Sequence, residues 1–292
     1  MKNFRSTRCA LGFVLVFTIL ASAVDGPPLT FTFSKANVPG AMETFPEGVN
    51  NAGVVVGFYE DKSLVFHGYI LNGKNLTKLD DPKGTNTTPS TMQYNGTNIV
   101  GLYTNSSGVS VGFLHKGSKF TDIPGPTGAA SDSANAINDS GAIVGSYVDS
   151  SGVTHGFRLK GTKYKTLDVP GATGTIATGI NNKGNIVLYW LDSAGAVESS
   201  LYNGKTYKTI NVPKAVNSDA LQLNNAGDVV YEWSDSGGAY HGALLHAGKY
   251  YKFNHPKAVF TYGAGINDNS TIVGGYQATS NGSFSGFEAT YK

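Results

Sequence analysis

The chain has 292 residues, with 22 Lys+Arg against 20 Asp+Glu, a single cysteine and 38 glycines. So few charges and so many turn formers exclude a coiled coil or a charge-rich disordered chain, and a lone cysteine excludes a disulfide framework. The length is enough to bury a core without staples.

The chain opens with Lys2, Arg5 and Arg8, then an apolar run from Ala10 to Leu20, then Ala21-Ser22-Ala23. A basic start, a short apolar stretch and small residues before a cut describe a secretory signal. The run is too short to span a bilayer, which takes about 20 apolar residues. We therefore expect residues 1–23 to be removed and 24–292 to be exported, to the periplasm or the extracellular space. The cut takes Cys9 and the three basic residues, leaving 19 basic against 20 acidic side chains, a formal net charge of −1. With that balance, nucleic acid and anionic membrane are poor partners.

From Leu29 onward the chain repeats. Gly57, Gly101, Gly145, Leu188, Tyr231 and Gly274 each follow an apolar pair, at spacings of 44, 44, 43, 43 and 43 residues. A second marker is the central residue of "HGY", "VGF", "HGF", "SSL", "HGA" and "SGF", at Gly68, Gly112, Gly156, Ser200, Gly242 and Gly286. A third is Pro39, Pro82, Pro124, Pro170, Pro213 and Pro256. Each unit reads as four short strands rich in Val, Ile, Tyr, Phe and Thr, separated by turns such as "NDSG" and "DSSG". Meanders of this length, repeated six times, predict an all-β, six-bladed β-propeller with four antiparallel strands per blade. Residues 29–39 form an orphan fourth strand, and the last unit lacks one. The N-terminal strand should therefore complete the last blade and close the ring, giving one domain over 24–292 that is read as a monomer.

The units "AINDSGAIVGSYVDSSGVTHGF" and "GINNKGNIVLYW", joined by "DVPGATGTIATGIN", resemble the bacterial extracellular HAF-repeat family, with "HGF" standing where the family has its name-giving triplet. The resemblance covers nearly all of the exported chain and implies an exported bacterial repeat protein. It implies no established activity.

Three rings of equivalent positions map to the face that carries the "PGA" loops. The first is aromatic: Tyr59, Tyr103, Tyr147, Trp190, Trp233 and Tyr276, ending each second strand. Aromatic faces with polar neighbours suit the C–H face of a sugar ring, while packing between repeats is the competing use. The second ring is Asn37, Asp80, Asp122, Asp168, Asn211 and Asn254, each two residues before its proline, read as caps of the turn that follows. The third is Thr44, Thr88, Asp132, Thr175, Ser218 and Thr261, placed at the mouth of the central channel. His67, His155 and His241 share one position in alternate blades, with Val111, Ser199 and Ser285 in the others. They should lie too far apart to share a zinc ion, and no segment has calcium-loop spacing. No metal or cofactor is expected.

A secreted non-catalytic binding module follows as the preferred reading. Its partner would be an extracellular polysaccharide or a protein, held by the aromatic ring with Thr44 and Asp132. Two alternatives stand beside it. One is a glycoside hydrolase or lyase using carboxylates among Glu43, Glu47, Asp132 and Asp219, which need only meet in space. The other is a passive envelope or matrix protein. An arginine-clamp sialidase is excluded, because Arg158 is the only arginine after the signal.

Overall fold

The computed structural model describes residues 29–292, so the expected signal lies outside the described residues. Strand β1 (Phe31–Lys35) comes first. Blade 1 is β2 (Glu43–Val49), β3 (Val55–Glu60), β4 (Phe66–Asn72) and β5 (Asn75–Lys78). Blade 2 is β6 (Gly84–Met92), β7 (Ile99–Asn105), β8 (Ser110–Lys116) and β9 (Lys119–Ile123). Blade 3 is β10 (Ser131–Ile137), β11 (Ile143–Val148), β12 (Thr154–Lys160) and β13 (Lys163–Thr166). Blade 4 is β14 (Gly174–Ile180), β15 (Ile186–Leu191), β16 (Val197–Tyr202) and β17 (Tyr207–Thr209). Blade 5 is β18 (Asn217–Leu223), β19 (Val229–Ser234), β20 (Tyr240–His246) and β21 (Lys249–Phe253). Blade 6 joins β22 (Phe260–Ile266), β23 (Thr271–Gln277) and β24 (Ser285–Tyr291) to β1, in the order β1-β24-β23-β22. The N-terminal strand thus closes the last blade, pairing Phe31 with Tyr291 and Lys35 with Phe287. Ring closure protects the sheet edges that an open array would expose.

The turns follow from residue chemistry. Asn138 Oδ1 accepts the amide of Ala142 (3.0 Å), and Gly141 takes a φ of 77° that a side chain would resist. The same asparagine also reaches outward. Its Nδ2 donates to the main-chain carbonyl of Asn181 (3.0 Å), Asn181 does so to Asn224 (3.1 Å), Asn224 to Asn267 (3.2 Å) and Asn267 to Asn50 (2.8 Å). The asparagine before the first turn, preceded by Ile in blades 3, 4 and 6, by Val in blade 1 and by Leu in blade 5, therefore builds a belt that ties blade to blade.

Blade 2 breaks the belt with one extra residue. Gln93 donates to Asn138 O (3.1 Å), and the additional Tyr94 crosses the propeller axis, its hydroxyl donating to the carbonyls of Leu223 and Ile180 on blades 5 and 4. Gln222 Nε2 meets Thr91 Oγ1 (3.4 Å) from the opposite side. Each inner strand carries a bulge, as between Ala134 and Ala136.

The core lies in the seams between blades and depends on a paired exchange of size. Gly57, Gly101, Gly145 and Gly274 stand directly across from Tyr69, Phe113, Phe157 and Phe287. All four rings are fully buried. A Cβ on Gly145 would lie 1.9 Å from Ser133 O and 2.9 Å from the Phe157 ring, so the ring requires the glycine. Blades 4 and 5 reverse the pair: Leu188 faces Ser200, and Tyr231 faces Ala243. Close-packed interiors allow such swaps when total volume is kept.

Candidate functional site

Five of the six ring-one aromatics sit within apolar clusters that span two blades. Tyr59 packs with Val38 and Val273, Tyr103 with Val56 and Leu79, Tyr147 with Val100 and Ile123, Trp233 with Val187 and Val212, and Tyr276 with Val230 and Phe253. Most also have an occupied face. His67 lies 5.3 Å from the Tyr59 ring centre and His155 is stacked 5.1 Å from that of Tyr147. Trp233 is covered by His241 at 4.6 Å and by the Lys252 ammonium at 3.6 Å, and Tyr276 is stacked on His255 at 3.6 Å. Burial and the charge of Lys214 hold Lys252 below the usual lysine range, against a smaller upward pull from Asp235. Tyr103 is only 3 % exposed.

Trp190 is placed differently. It lines a groove of about 570 Å³ between blades 3 and 4, with Val169 and Pro170, Ser200, the turn residues Lys205 and Thr206, and Tyr207 and Thr209 of β17. Its indole N–H donates to Ser200 Oγ (3.1 Å), which fixes the ring's edge. One departure from the repeat stands beside it: Ser200 occupies the position where Tyr69, Phe113, Phe157 and Phe287 fill their own seams. The outer hairpin of blade 4 turns at Gly204 and Lys205, with Asn203 N donating to Thr206 O (3.3 Å). Asn203 Oδ1 accepts the amides of Lys205 and Thr206 (both 2.9 Å), which holds the turn. Burial, then Tyr202 and Asp168, push the Tyr207 hydroxyl up to about 12, keeping it a neutral donor at ordinary pH.

The other rings are fold chemistry, and several assignments need correction. Thr44, Thr175, Ser218 and Thr261 do not line the channel: they are nearly fully buried and accept the amides of Val38, Val169, Val212 and His255. In blade 2 the residue doing this is Thr87, accepting from Asp81 N (2.9 Å), and not Thr88. Ring two reaches sideways to the third strand instead of capping the following turn: Asp80 accepts from Gly68 N (3.2 Å), Asn211 from Ser199 N (2.7 Å) and Asn37 from Gly286 N (2.7 Å). Ile123 pairs with Gly112, so in blade 2 the equivalent position is Pro124. Proline has nothing to offer the Gly112 amide. Asp122 falls outside the ring and meets Lys83 Nζ at 2.7 Å.

Asp132 repairs that gap. One of its oxygens accepts from Gly112 N (2.6 Å), the ring-two duty, and the other from Gly125 N (3.0 Å), the ring-three duty. Both oxygens are thus engaged by the backbone. Burial raises its pKa, the two amides pull it back, and Asp122 adds a smaller upward push.

The histidines are clamped between acceptors. His155 Nδ1 meets Asp168 Oδ2 (2.9 Å) and Nε2 meets Asp149 Oδ2 (3.3 Å), with His67 held likewise by Asp80 and Asp61. His241 lies between Asn254 and Asp235. In blade 4 this position belongs to Glu198, which pairs with Trp190, and not to Ser199; Asn211 Nδ2 donates to its carboxylate. Of the remaining acidic candidates, Glu43 accepts from Phe284 N (3.0 Å). Glu47 is the bulge residue of β2, and Asp219 stands across from Glu232 in blade 5. No group of three or more His, Cys, Asp or Glu among the described residues could hold a metal ion.

By sequence, no protein-family model and no curated protein matches the chain, so the likeness to HAF repeats rests on its motifs alone. By structure it is similar to TolB from Acinetobacter baumannii, with a TM-score of 0.60 and 11% identity, over 84% of this chain and 68% of that one. The SapL1 lectin, solved with alpha methyl fucoside, gives a TM-score of 0.55 at 10% identity over 85% and 94% of the two chains. AofleA from Arthrobotrys oligospora gives 0.51 at 10% identity over 90% and 83%. At such identities these likenesses establish the propeller fold.

Proposed function

We propose that this chain is an exported carbohydrate-binding propeller whose site is the Trp190 groove. The observation that carries the reading is where the indole sits: it lines a groove of about 570 Å³ and belongs to none of the apolar seam clusters that hold the other ring-one aromatics. An indole face with hydroxyl and ammonium groups at its rim matches a pyranose, which has an apolar face and a polar circumference. Thr206 and Thr209 offer hydroxyls, Tyr207 a phenol and Lys205 a cation. Departures from the repeat at positions 188, 198 and 200 meet at this seam, as they would where a site is grafted on a symmetric scaffold.

Fold alone does not choose this function, since TolB and the SapL1 lectin share the architecture. The lectin bound to a methyl fucoside makes a saccharide a natural first ligand to try. Both oxygens of Asp132 are tied to amides, which disfavours the hydrolase alternative at that residue. The signal-like start and the motif resemblance support export.

The test is a saccharide screen on the full exported chain, followed by titration of tryptophan fluorescence. A saturable ligand should quench Trp190, and the quench should survive Trp233→Phe. Trp190→Ala should abolish binding with the fold intact by circular dichroism. Binding that persists in Trp190→Ala refutes the site.

A further inference from the structure

Resting on that reading of Trp190, we infer that the saccharide is an acidic polysaccharide of the uronic-acid type, lying along β17 with a carboxylate against Lys205. The argument begins with where the charges lie. The outermost strands β1, β5, β9, β13, β17 and β21 carry eight lysines (35, 78, 119, 163, 165, 208, 249 and 252) and one carboxylate, Asp122. The hairpins leading into them add Lys74 and Lys205 in the turns and Lys116 and Lys160 at the ends of β8 and β12. Carboxylates stand in the inner turns (Asp139, Asp268) and the opposite hairpins (Asp61, Asp149, Asp235), while those just after the outer strands are engaged, Asp80 by Lys78 (2.9 Å) and Asp168 by His155 (2.9 Å). A chain of nearly balanced charge therefore has a basic outer wall.

Edge protection explains a lysine on each outer strand. It does not extend to Lys205, which lies in the turn of its hairpin and lines the groove beside Thr206 and the indole. The carboxylates of the same blade are already engaged or lie elsewhere: Glu198 accepts from Asn211, and Asp192 caps the hairpin amides of Ala194 and Ala196. Lys163, Lys165 and Lys208 stand exposed on the strands flanking the seam, Lys165 donating to the Tyr202 hydroxyl (2.5 Å). From Thr209 back to Lys205 the rim extends on the order of 13 Å at the rise of a strand. That is longer than one hexose ring and suits a polymer. A nucleic acid would meet the same charge, but a single indole walled by Val169 and Pro170 offers no series of stacking platforms for successive bases.

The probes are oligogalacturonate and its methyl ester, the same sugar with and without charge, each titrated against Trp190 fluorescence on the full exported chain. The acid should bind more tightly than the ester, by about threefold to fivefold for each exposed lysine–carboxylate contact. The advantage should shrink as NaCl is raised. Lys205→Gln should narrow the gap between acid and ester, while Lys74→Gln, the equivalent turn lysine of blade 1, should leave it as it was. Equal binding of acid and ester overturns the inference, and so does an advantage that neither salt nor Lys205→Gln reduces. If only neutral saccharides quench Trp190, this inference fails and the site stands. If no saccharide of any charge quenches Trp190, both fail. Single-stranded DNA binding as tightly as oligogalacturonate would also overturn the inference, since charge alone would then suffice.

Discussion

The exchange of Gly–aromatic for Leu188–Ser200 makes a quantitative prediction about how the groove arose. Leu188 is fully buried, and replacing it by Gly removes a packed side chain and adds backbone freedom. The expected cost is about 3–6 kcal/mol. Ser200→Phe alone drives a ring onto Leu188 and Trp190, an overpacking worth about 1–3 kcal/mol. Made together, the two changes recreate the Gly145–Phe157 arrangement of blade 3, where the glycine gives the ring its place. The double variant should then be less destabilised than the sum of the singles by about 2 kcal/mol or more. The assay is urea unfolding of the four proteins followed by fluorescence, compared at matched slopes. Additivity within about 0.5 kcal/mol would refute the argument, because it would mean that the two positions do not share one volume. The same double variant should fill the groove and lose saccharide quenching while keeping its circular dichroism spectrum.

Asp132→Ala should cost about 2–5 kcal/mol, because the amides of Gly112 and Gly125 both lose their acceptor. Asp132→Asn, which keeps one oxygen, should recover roughly half of that in the same urea experiment. Asn138→Ala should cost about 2–4 kcal/mol, since it removes the turn cap on Ala142 and the belt bond to Asn181 together. His155 is pulled down by burial, yet the Asp168 and Asp149 carboxylates prevail and raise it overall. A raised histidine stabilises the fold below its unfolded value of about 6.5, and that contribution is lost as pH climbs through the folded value. The Tm deficit of His155→Gln should accordingly be larger near pH 5.5 than near pH 8, as read by differential scanning calorimetry; an equal deficit at both would show that the clamp does not titrate.

The blade count, the strand order and the closure by β1 were legible because each rests on something local and repeated: alternating apolar residues, Gly and Asn at turns, and two chain ends that complement each other. What was misread lies where a repeat slips by one residue or changes chemistry. Proline marks the loop after each outer strand, yet in blade 2 Pro124 itself stands in the Asx position, so counting back two residues selected Asp122. In blade 4 the motif "SSL" has Ser200 at its centre, whereas pairing with Trp190 puts Glu198 in the histidine's place and Ser199 in the glycine's. Thr88 was taken for Thr87 because blade 2 carries an additional irregularity between Thr85 and Thr88. The belt asparagines were in plain view after an apolar residue before each first turn, but each of their bonds joins neighbouring blades, which a reading of turn chemistry does not test. Tyr94 is unlike any repeat position, and only the closed ring shows that an extra residue there reaches the far side of the axis.

Symmetry also explains why one aromatic of six borders a groove. A closed ring gives every blade two neighbours, so an aromatic at the end of each second strand packs into a seam by default, and opening a groove beside one requires removing whatever fills that seam. Blades 4 and 5 both gave up the aromatic of the third strand, in favour of Ser200 and Ala243. In blade 5 the space was taken back: the Tyr231 hydroxyl donates to Ile210 O (2.9 Å), and Lys252 and His241 cover Trp233. In blade 4 the exchanged residue is the smaller Leu188, the position of Lys252 is held by Thr209, and that of His241 by Glu198, whose carboxylate is drawn to Asn211. Three short replacements at one seam leave the indole lining a groove, with the turn residue Lys205 and Thr206 along its rim. Any one of them could pass as drift in a tolerant repeat; their meeting around a single indole gives the site its claim.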